Sequence, residues 1–288
     1  MKILRTIDEV RRWRGSLAQG TTVAFVPTMG FFHQGHLALM EKGRKLCDRL
    51  VVSIFVNPIQ FGPTEDLDRY PRDEKRDCEL AEQVGVDMLF LPRADAMYGE
   101  NFQTSISVDR LSTGFCGACR PGHFSGVATV VAKLFNIISP TTAVFGSKDF
   151  QQLAVVRQMV RDLDFPVAVI GHDIVREDDG LAMSSRNVYL DEQARKDALF
   201  LYQSICRARQ MAAGTKEMPC ALITRDIAER AARHPRVELE YAAIVHAGTL
   251  LPQETVDSRS VLLLACRVGP VRLIDNGFLR EAHDQTSM

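Results

Sequence analysis

Two imidazoles, His33 and His36, are the side chains whose type and spacing speak first of chemistry; they lie in Thr28-Met29-Gly30-Phe31-Phe32-His33-Gln34-Gly35-His36. Thr22–Val26 reads as a buried strand ending at Pro27, and Gly35–Cys47 carries helical spacing. A loop containing Gly30 therefore joins strand to helix, and the two rings stand at the helix entrance, three residues apart on one side. Backbone N–H groups and the positive end of the helix dipole favour a phosphate at such a place. Imidazole donors there can strengthen as negative charge builds on a phosphorus centre. The plainer alternative is that one His caps the helix and the other packs; the strand–loop–helix setting favours chemistry. Two commoner phosphate grips are missing, since no Gly-x-Gly-x-x-Gly follows a strand and no Gly-x4-Gly-Lys-Ser/Thr occurs. A dinucleotide oxidoreductase or P-loop enzyme is thereby disfavoured. Cys116-Gly117-Ala118-Cys119 with His123 makes half of a zinc knuckle, but no second ligand pair accompanies it, so a protein-held metal is not expected.

The elements that must position these residues follow from hydrophobic pattern. Leu50–Val56, Asp87–Leu91, Thr142–Phe145 and Val167–Ile170 join Thr22–Val26 as short apolar runs, and runs apolar at nearly every position fit a parallel sheet covered on both faces. Helical spacing over Lys75–Val84 and Gly126–Ile138 alternates with them, which predicts a Rossmann-like, doubly wound α/β sheet. Such sheets bind ligands beyond the C-terminal ends of their strands. Pro27-Thr28-Met29-Gly30 and Asn57-Pro58-Ile59-Gln60-Phe61-Gly62 both fall at that edge. Past about Val175 the texture changes. Asp191–Ala213 and Cys220–Arg233 read as helices, and Val237–Val245, Val261–Cys266 and Arg272–Ile274 as strands. The expected organisation is a Rossmann-like domain over 1–177 and a smaller α+β C-terminal lid domain over 178–288, with Ala282–Met288 frayed.

Bulk properties restrict the class of partner. The chain has 288 residues, 46% of them hydrophobic, and 35 Lys and Arg against 36 Asp and Glu give a net charge of −1. A nucleic acid or a membrane held mainly by electrostatics is disfavoured. No window of 18 uninterrupted apolar residues offers a membrane span. The opening residues Met1–Glu9 are charged too early for a signal peptide, and seven scattered cysteines suit reduced thiols; the expected compartment is the cytoplasm.

His33-Gln34-Gly35-His36 matches the His-x-Gly-His signature of nucleotidyltransferase and class I synthetase-like Rossmann folds, whose members make α-phosphate adenylates. Seven stretches, in order from residue 27 to about 190, resemble one family more narrowly, pantothenate synthetase (pantoate–β-alanine ligase). They are Pro27–Gly30, Phe55–Phe61, Glu65–Leu67, Tyr70–Arg72, Arg120–Phe124, Lys148–Leu153 and Asp179–Asn187.

The resemblance implies ATP-dependent condensation of pantoate with β-alanine to pantothenate, AMP and pyrophosphate through a pantoyl-adenylate intermediate. It implies that Met29, Gly30, Phe31, Phe32, His33, Gln34, Gly35 and His36 hold ATP, with His36 in the family's proton-donor position and His33 a second donor. Gly146, Ser147, Lys148 and Asp149 stand where the family has Gly-Glu-Lys-Asp, so Ser147 departs from the pattern. Lys148 would supply charge to the phosphates and Asp149 would accept the ribose hydroxyls. Val175 takes the position of a backbone contact to adenine, and Met183, Ser184, Ser185 and Arg186 would close over the triphosphate. Gln60 and Gln152 are the amides expected to orient pantoate, and Arg120 and His123 border the pocket. Mg2+ would arrive on the nucleotide, with no protein ligands named, and a homodimer through the N-terminal domains is implied. Two rivals stand against this reading. An adenylyltransferase for a phosphate acceptor would call for more Arg or Lys than Gln60 and Gln152 provide. A non-catalytic nucleotide-binding module would make Ser147 a mark of decay.

Overall fold

The computed structural model describes residues 1–63 and 65–280, so the tail expected to fray lies outside the described residues. The chain divides into two compact units, 1–147 with 152–175, and 148–151 with the chain from Arg176 onward.

In the first unit the strands β1 (Lys2–Leu4), β2 (Val23–Thr28), β3 (Arg49–Ile54), β4 (Met88–Phe90), β5 (Thr142–Gly146) and β6 (Ala168–His172) form one sheet in the order β1-β4-β3-β2-β5-β6. Every pairing is parallel. The connecting helices are α1 (Ile7–Gly15), α2 (Gln34–Leu46), α3 (Glu74–Val84), α4 (Ala94–Met97), α5 (Cys116–Cys119), α6 (His123–Ile138) and α7 (Phe150–Asp162).

Alternation along the strands builds two cores. Val23 and Phe25 of β2 bury against α1, α6 and α7, whereas Ala24 and Val26 bury against α2 and α3. This is why the strand runs read as continuously apolar. It also puts α2 and α7, the helices that follow β2 and β5, on opposite faces. The winding thus reverses between β2 and β5, where an open α/β sheet leaves a crevice for a ligand.

Pro27 does not end β2, which runs through to Thr28. Val23 accepts from Thr141 on the β5 side and Thr28 from Phe55 on the β3 side. Odd-numbered residues of β2 therefore turn their main-chain groups toward β5. Pairing with β5 stops at Phe25↔Ala143, so the N–H that Pro27 lacks falls where no ladder bond is made.

The second unit holds α8 (Glu192–Ala198), α9 (Phe200–Ala213) and α10 (Cys220–Ala231), packed on an antiparallel sheet of β7 (Val237–His246), β8 (Ser260–Val268) and β9 (Val271–Phe278). The single helix expected over Asp191–Ala213 is two, broken at Leu199 (φ −61°, ψ −16°). The buried series Ala194, Ala198, Leu201, Ile205, Ala208, Ala212 keeps helical spacing across the break, so periodicity cannot reveal it. Among the described residues no helix is long and apolar enough to cross a membrane.

Candidate active site

The loop leaving β2 is fixed from three sides. Thr28 donates its hydroxyl to the Ser53 carbonyl (2.7 Å) and accepts the Gly30 N–H (3.2 Å). Gly30 (φ +86°) and Phe31 (φ +54°) then take consecutive left-handed conformations, natural for glycine and costly for phenylalanine by roughly 1–2 kcal/mol. A β-carbon at Gly30 would lie 2.8 Å from Ile54 Cγ2 and 3.0 Å from Asp77 Oδ2, so the loop presses directly on its neighbours. Asp77 reaches in from α3, accepting the N–H groups of Phe31 (2.6 Å) and Phe32 (2.7 Å) on its two oxygens. Its side chain is buried, and burial pushes the carboxyl above its ordinary 3.8 although both amide bonds pull it down.

His33 and His36 cap α2 reciprocally. His33 Nδ1 accepts the Gly35 N–H (3.1 Å), and His36 Nδ1 accepts the His33 N–H (3.3 Å). A backbone N–H can only donate, so each ring carries its proton on Nε2. The rings are 4.1 Å apart, half-exposed, and His36 leans on the buried Phe32 at 5.6 Å. The expected cap is present, and it fixes the tautomer that puts a donor at each Nε2. The amides of Gly30, Phe31, Phe32, His33, Gly35 and His36 all donate within the protein.

At the end of β3 a polar network surrounds Gln60 on the 3-10 turn Pro58–Gln60. Asn57 is buried, donates Nδ2 to Gln60 Oε1 (3.0 Å) and the Gly126 carbonyl (3.1 Å), and accepts from the Tyr98 hydroxyl (2.7 Å). Burial pushes that phenol well above its ordinary range. With its oxygen held by Asn57, Gln60 aims Nε2 at Met29 Sδ (3.3 Å), a weak acceptor that a carboxylate or hydroxyl would displace. Around it, His123 Nδ1 meets the Gln60 carbonyl (2.9 Å), and Arg120 contacts His123 (3.0 Å) while gripping Glu65 with two bonds of 2.7 and 2.6 Å. Burial alone would raise the Glu65 carboxyl, but Arg120 holds it below its usual range. Arg120 and His123 therefore brace the turn that carries Gln60. Asn57 lies in the motif that also carries Gln60, whereas Asp77 on α3 and Tyr98 after α4 carried no signal of their own, because each acts from a separate element.

After β5, Ser147 starts the 3-10 turn Ser147–Asp149. A β-carbon at Gly171 of β6 would lie 3.1 Å from Ser147 Oγ and 3.3 Å from Arg157 Nη2, so residue 147 points toward β6 beside a guanidinium. Gln152 is half-buried on α7, and Val175 is half-buried at the end of the first unit. Lys148 and Asp149 group with the second unit, where Asn276 of β9 donates to the Lys148 carbonyl (2.8 Å).

The Met183–Arg186 segment belongs to a braced loop of that same unit. Arg176 holds Asp275 with two bonds (2.7 and 2.9 Å) and also donates to the Gly180 carbonyl (3.0 Å). Arg195 ties Glu177 and Asp179, and Asn187 donates to Glu177 and the Ala182 carbonyl. Ser184 caps the 3-10 turn Ser185–Tyr189 by accepting the Arg186 N–H (3.3 Å). Cys116 is buried and Cys119 exposed on α5, and no group of three or more His, Cys, Asp or Glu converges among the described residues.

Comparison with known proteins places these features in a family. The family model for pantoate–β-alanine ligase matches residues 2–278. The pantothenate synthetase of Desulfatibacillum aliphaticivorans is 53% identical over 91% of this chain and 92% of its own length. That of Heliobacterium modesticaldum is 51% identical over 96% and 98%. The crystal structure of a Thermus thermophilus pantothenate synthetase matches with a TM-score of 0.91 at 47% identity, over 97% of this chain and 99% of that one. A pantoate–β-alanine ligase from Francisella tularensis, complexed with β-γ ATP and β-alanine, matches with a TM-score of 0.77 at 30% identity, over 97% and 98%. This chain belongs to the pantoate–β-alanine ligase family.

Proposed function

We propose that this chain makes pantothenate from pantoate, β-alanine and ATP, releasing AMP and pyrophosphate, by way of pantoyl adenylate. A carboxylate is a poor electrophile, and a mixed anhydride with AMP replaces a bad leaving group with a good one. A pantoate oxygen attacks the α-phosphorus as the bond to pyrophosphate breaks. The β-alanine amine then attacks the acyl carbon, loses a proton and expels AMP.

The observation that carries this reading is the reciprocal capping of α2, which puts Nε2–H donors on His33 and His36 at the sheet edge where a ligand is expected. Their task is to donate hydrogen bonds to charge growing on phosphate oxygens, with His36 also the family's proton donor. The fixed Gln60 amide presents N–H donors to pantoate, an assignment shared with Gln152. Lys148 supplies charge to the phosphates and Asp149 accepts the ribose hydroxyls. Val175 meets adenine, and Ser184, Ser185 and Arg186 donate to the triphosphate beside Met183. Mg2+ would come in on the nucleotide phosphates. An odd number of cysteines scattered through the chain supports a cytoplasmic setting. Family resemblance supports a homodimer, which light scattering tests: a monomeric mass removes that assignment.

The decisive assay is exchange of labelled pyrophosphate into ATP. Exchange is expected only when pantoate is present, and His36→Ala is expected to lower its rate about 100-fold or more with the fold intact. Exchange without pantoate, or full exchange in a folded His36→Ala protein, refutes the mechanism.

A further inference from the structure

Asp77 lies outside the seven stretches that resemble the family, yet it is 1% exposed and bonded to the turn that leads into His33. Two successive left-handed residues, Gly30 and Phe31, aim the following amides inward as a small anion-binding concavity. The anion that fills it is internal: Asp77 Oδ2 takes the Phe31 N–H at 2.6 Å and Oδ1 the Phe32 N–H at 2.7 Å. Arg76, one residue earlier on α3, donates to the Phe32 carbonyl (2.9 Å) and stands 5.9 Å over the Phe31 ring. Both sides of the Phe32 peptide are thus held from α3. The Phe32 ring is 1% exposed and meets His36, whose Nδ1 in turn holds the His33 amide.

We infer that Asp77 is a positioning residue: by occupying the amide concavity of the Gly30–Phe32 turn it aims the His36 ring at the reacting phosphate and keeps ATP phosphates out of the wrong anion site. The inference rests on the phosphate-donor role proposed above for His36. A buried carboxylate with two amide donors persists because it fixes the one backbone shape in which Phe31 bears a positive φ.

A residue that works only through His36 should lose its effect once His36 is gone. Pyrophosphate exchange is therefore measured in wild type, Asp77→Asn, His36→Ala and the double variant, with ATP affinity followed by calorimetry. Asparagine keeps the volume but sets an NH2 against one amide N–H. Asp77→Asn is expected to slow exchange about 10–100-fold, the range for losing a charge-assisted hydrogen bond and leaving its partner buried. ATP affinity is expected to change much less, and the double variant to be no slower than His36→Ala alone. Additive losses in the double variant, or unchanged exchange in folded Asp77→Asn, overturn the role of Asp77. Unchanged exchange in His36→Ala overturns instead the reading beneath it. Should Asp77→Asn fail to fold, the exposed Arg76 serves in the same cycle: Arg76→Ala is expected to slow exchange severalfold in wild type and not at all in the His36→Ala background, and additivity there refutes the inference.

Discussion

An imidazole whose Nδ1 accepts a backbone N–H carries its one proton at Nε2, and two such rings 4.1 Å apart are paired donors before any ligand arrives. The same economy governs Gln60, whose carbonyl oxygen is spoken for by Asn57, leaving its Nε2 as the donor end of the amide. The Arg120–Glu65 pair secures the wall behind that turn, and its titration gives a signed test. Glu65 has a folded pKa below its ordinary 4.5, so its contribution is complete above that value and is lost as pH falls through the lower, folded one. Glu65→Gln should cost about 1.5–3 kcal/mol at pH 7, since it breaks hydrogen bonds to a charged partner that is mostly buried. The difference between wild type and variant, followed by thermal melts, should shrink as pH drops below about 4.5. A gap that stays constant down to pH 3 would mean that Arg120 does not act through the Glu65 charge.

Helix α6 approaches the 3-10 turn so closely that only glycine fits at 126. A β-carbon there would lie 2.6 Å from the Ile59 carbonyl oxygen and 2.7–2.8 Å from the Gln60 backbone. Gly126→Ala is therefore expected to destabilise by about 1–3 kcal/mol and to raise KM for pantoate while leaving KM for ATP near its original value. Melting and steady-state kinetics check both, and equal rises in the two KM values would dissociate the turn from the acid subsite. At this scale the sequence was most legible where burial is two-sided. The central strands are apolar on both faces, so Val23–Thr28 and Arg49–Ile54 could be placed within a few residues. The edge strand Lys2–Leu4 escaped because three largely exposed residues carry no such pattern. Helix α1 escaped although Thr6 and Glu9 spell out a capping box ahead of it. Helix α7 was missed too, its start hidden behind a loop motif at Lys148–Gln152. The strand–loop–helix setting of the imidazole pair was legible in the sequence, whereas the Asp77 clamp was not, because it joins residues 45 and 46 positions apart.

Over the whole molecule the two units have separate cores. The first is built on both faces of its parallel sheet, the second on one side of β7–β8–β9. Texture changes near Val175 in the sequence, but nothing in composition marks residues 148–151 as belonging with the later unit. That membership follows from long-range ties, among them Asn276 to the Lys148 carbonyl and the edge-to-face contact of Phe150 with Phe278 (6.1 Å). Recombination between relatives is therefore not free to choose its crossover. A hybrid spliced at residue 175 would hand the C-terminal unit a foreign tetrapeptide in its midst, with a lysine and an aromatic ring fitted to another scaffold. Gene shuffling that respects the molecule must exchange 148–151 together with everything after Arg176, as a cassette interrupted in the reading frame yet continuous in space.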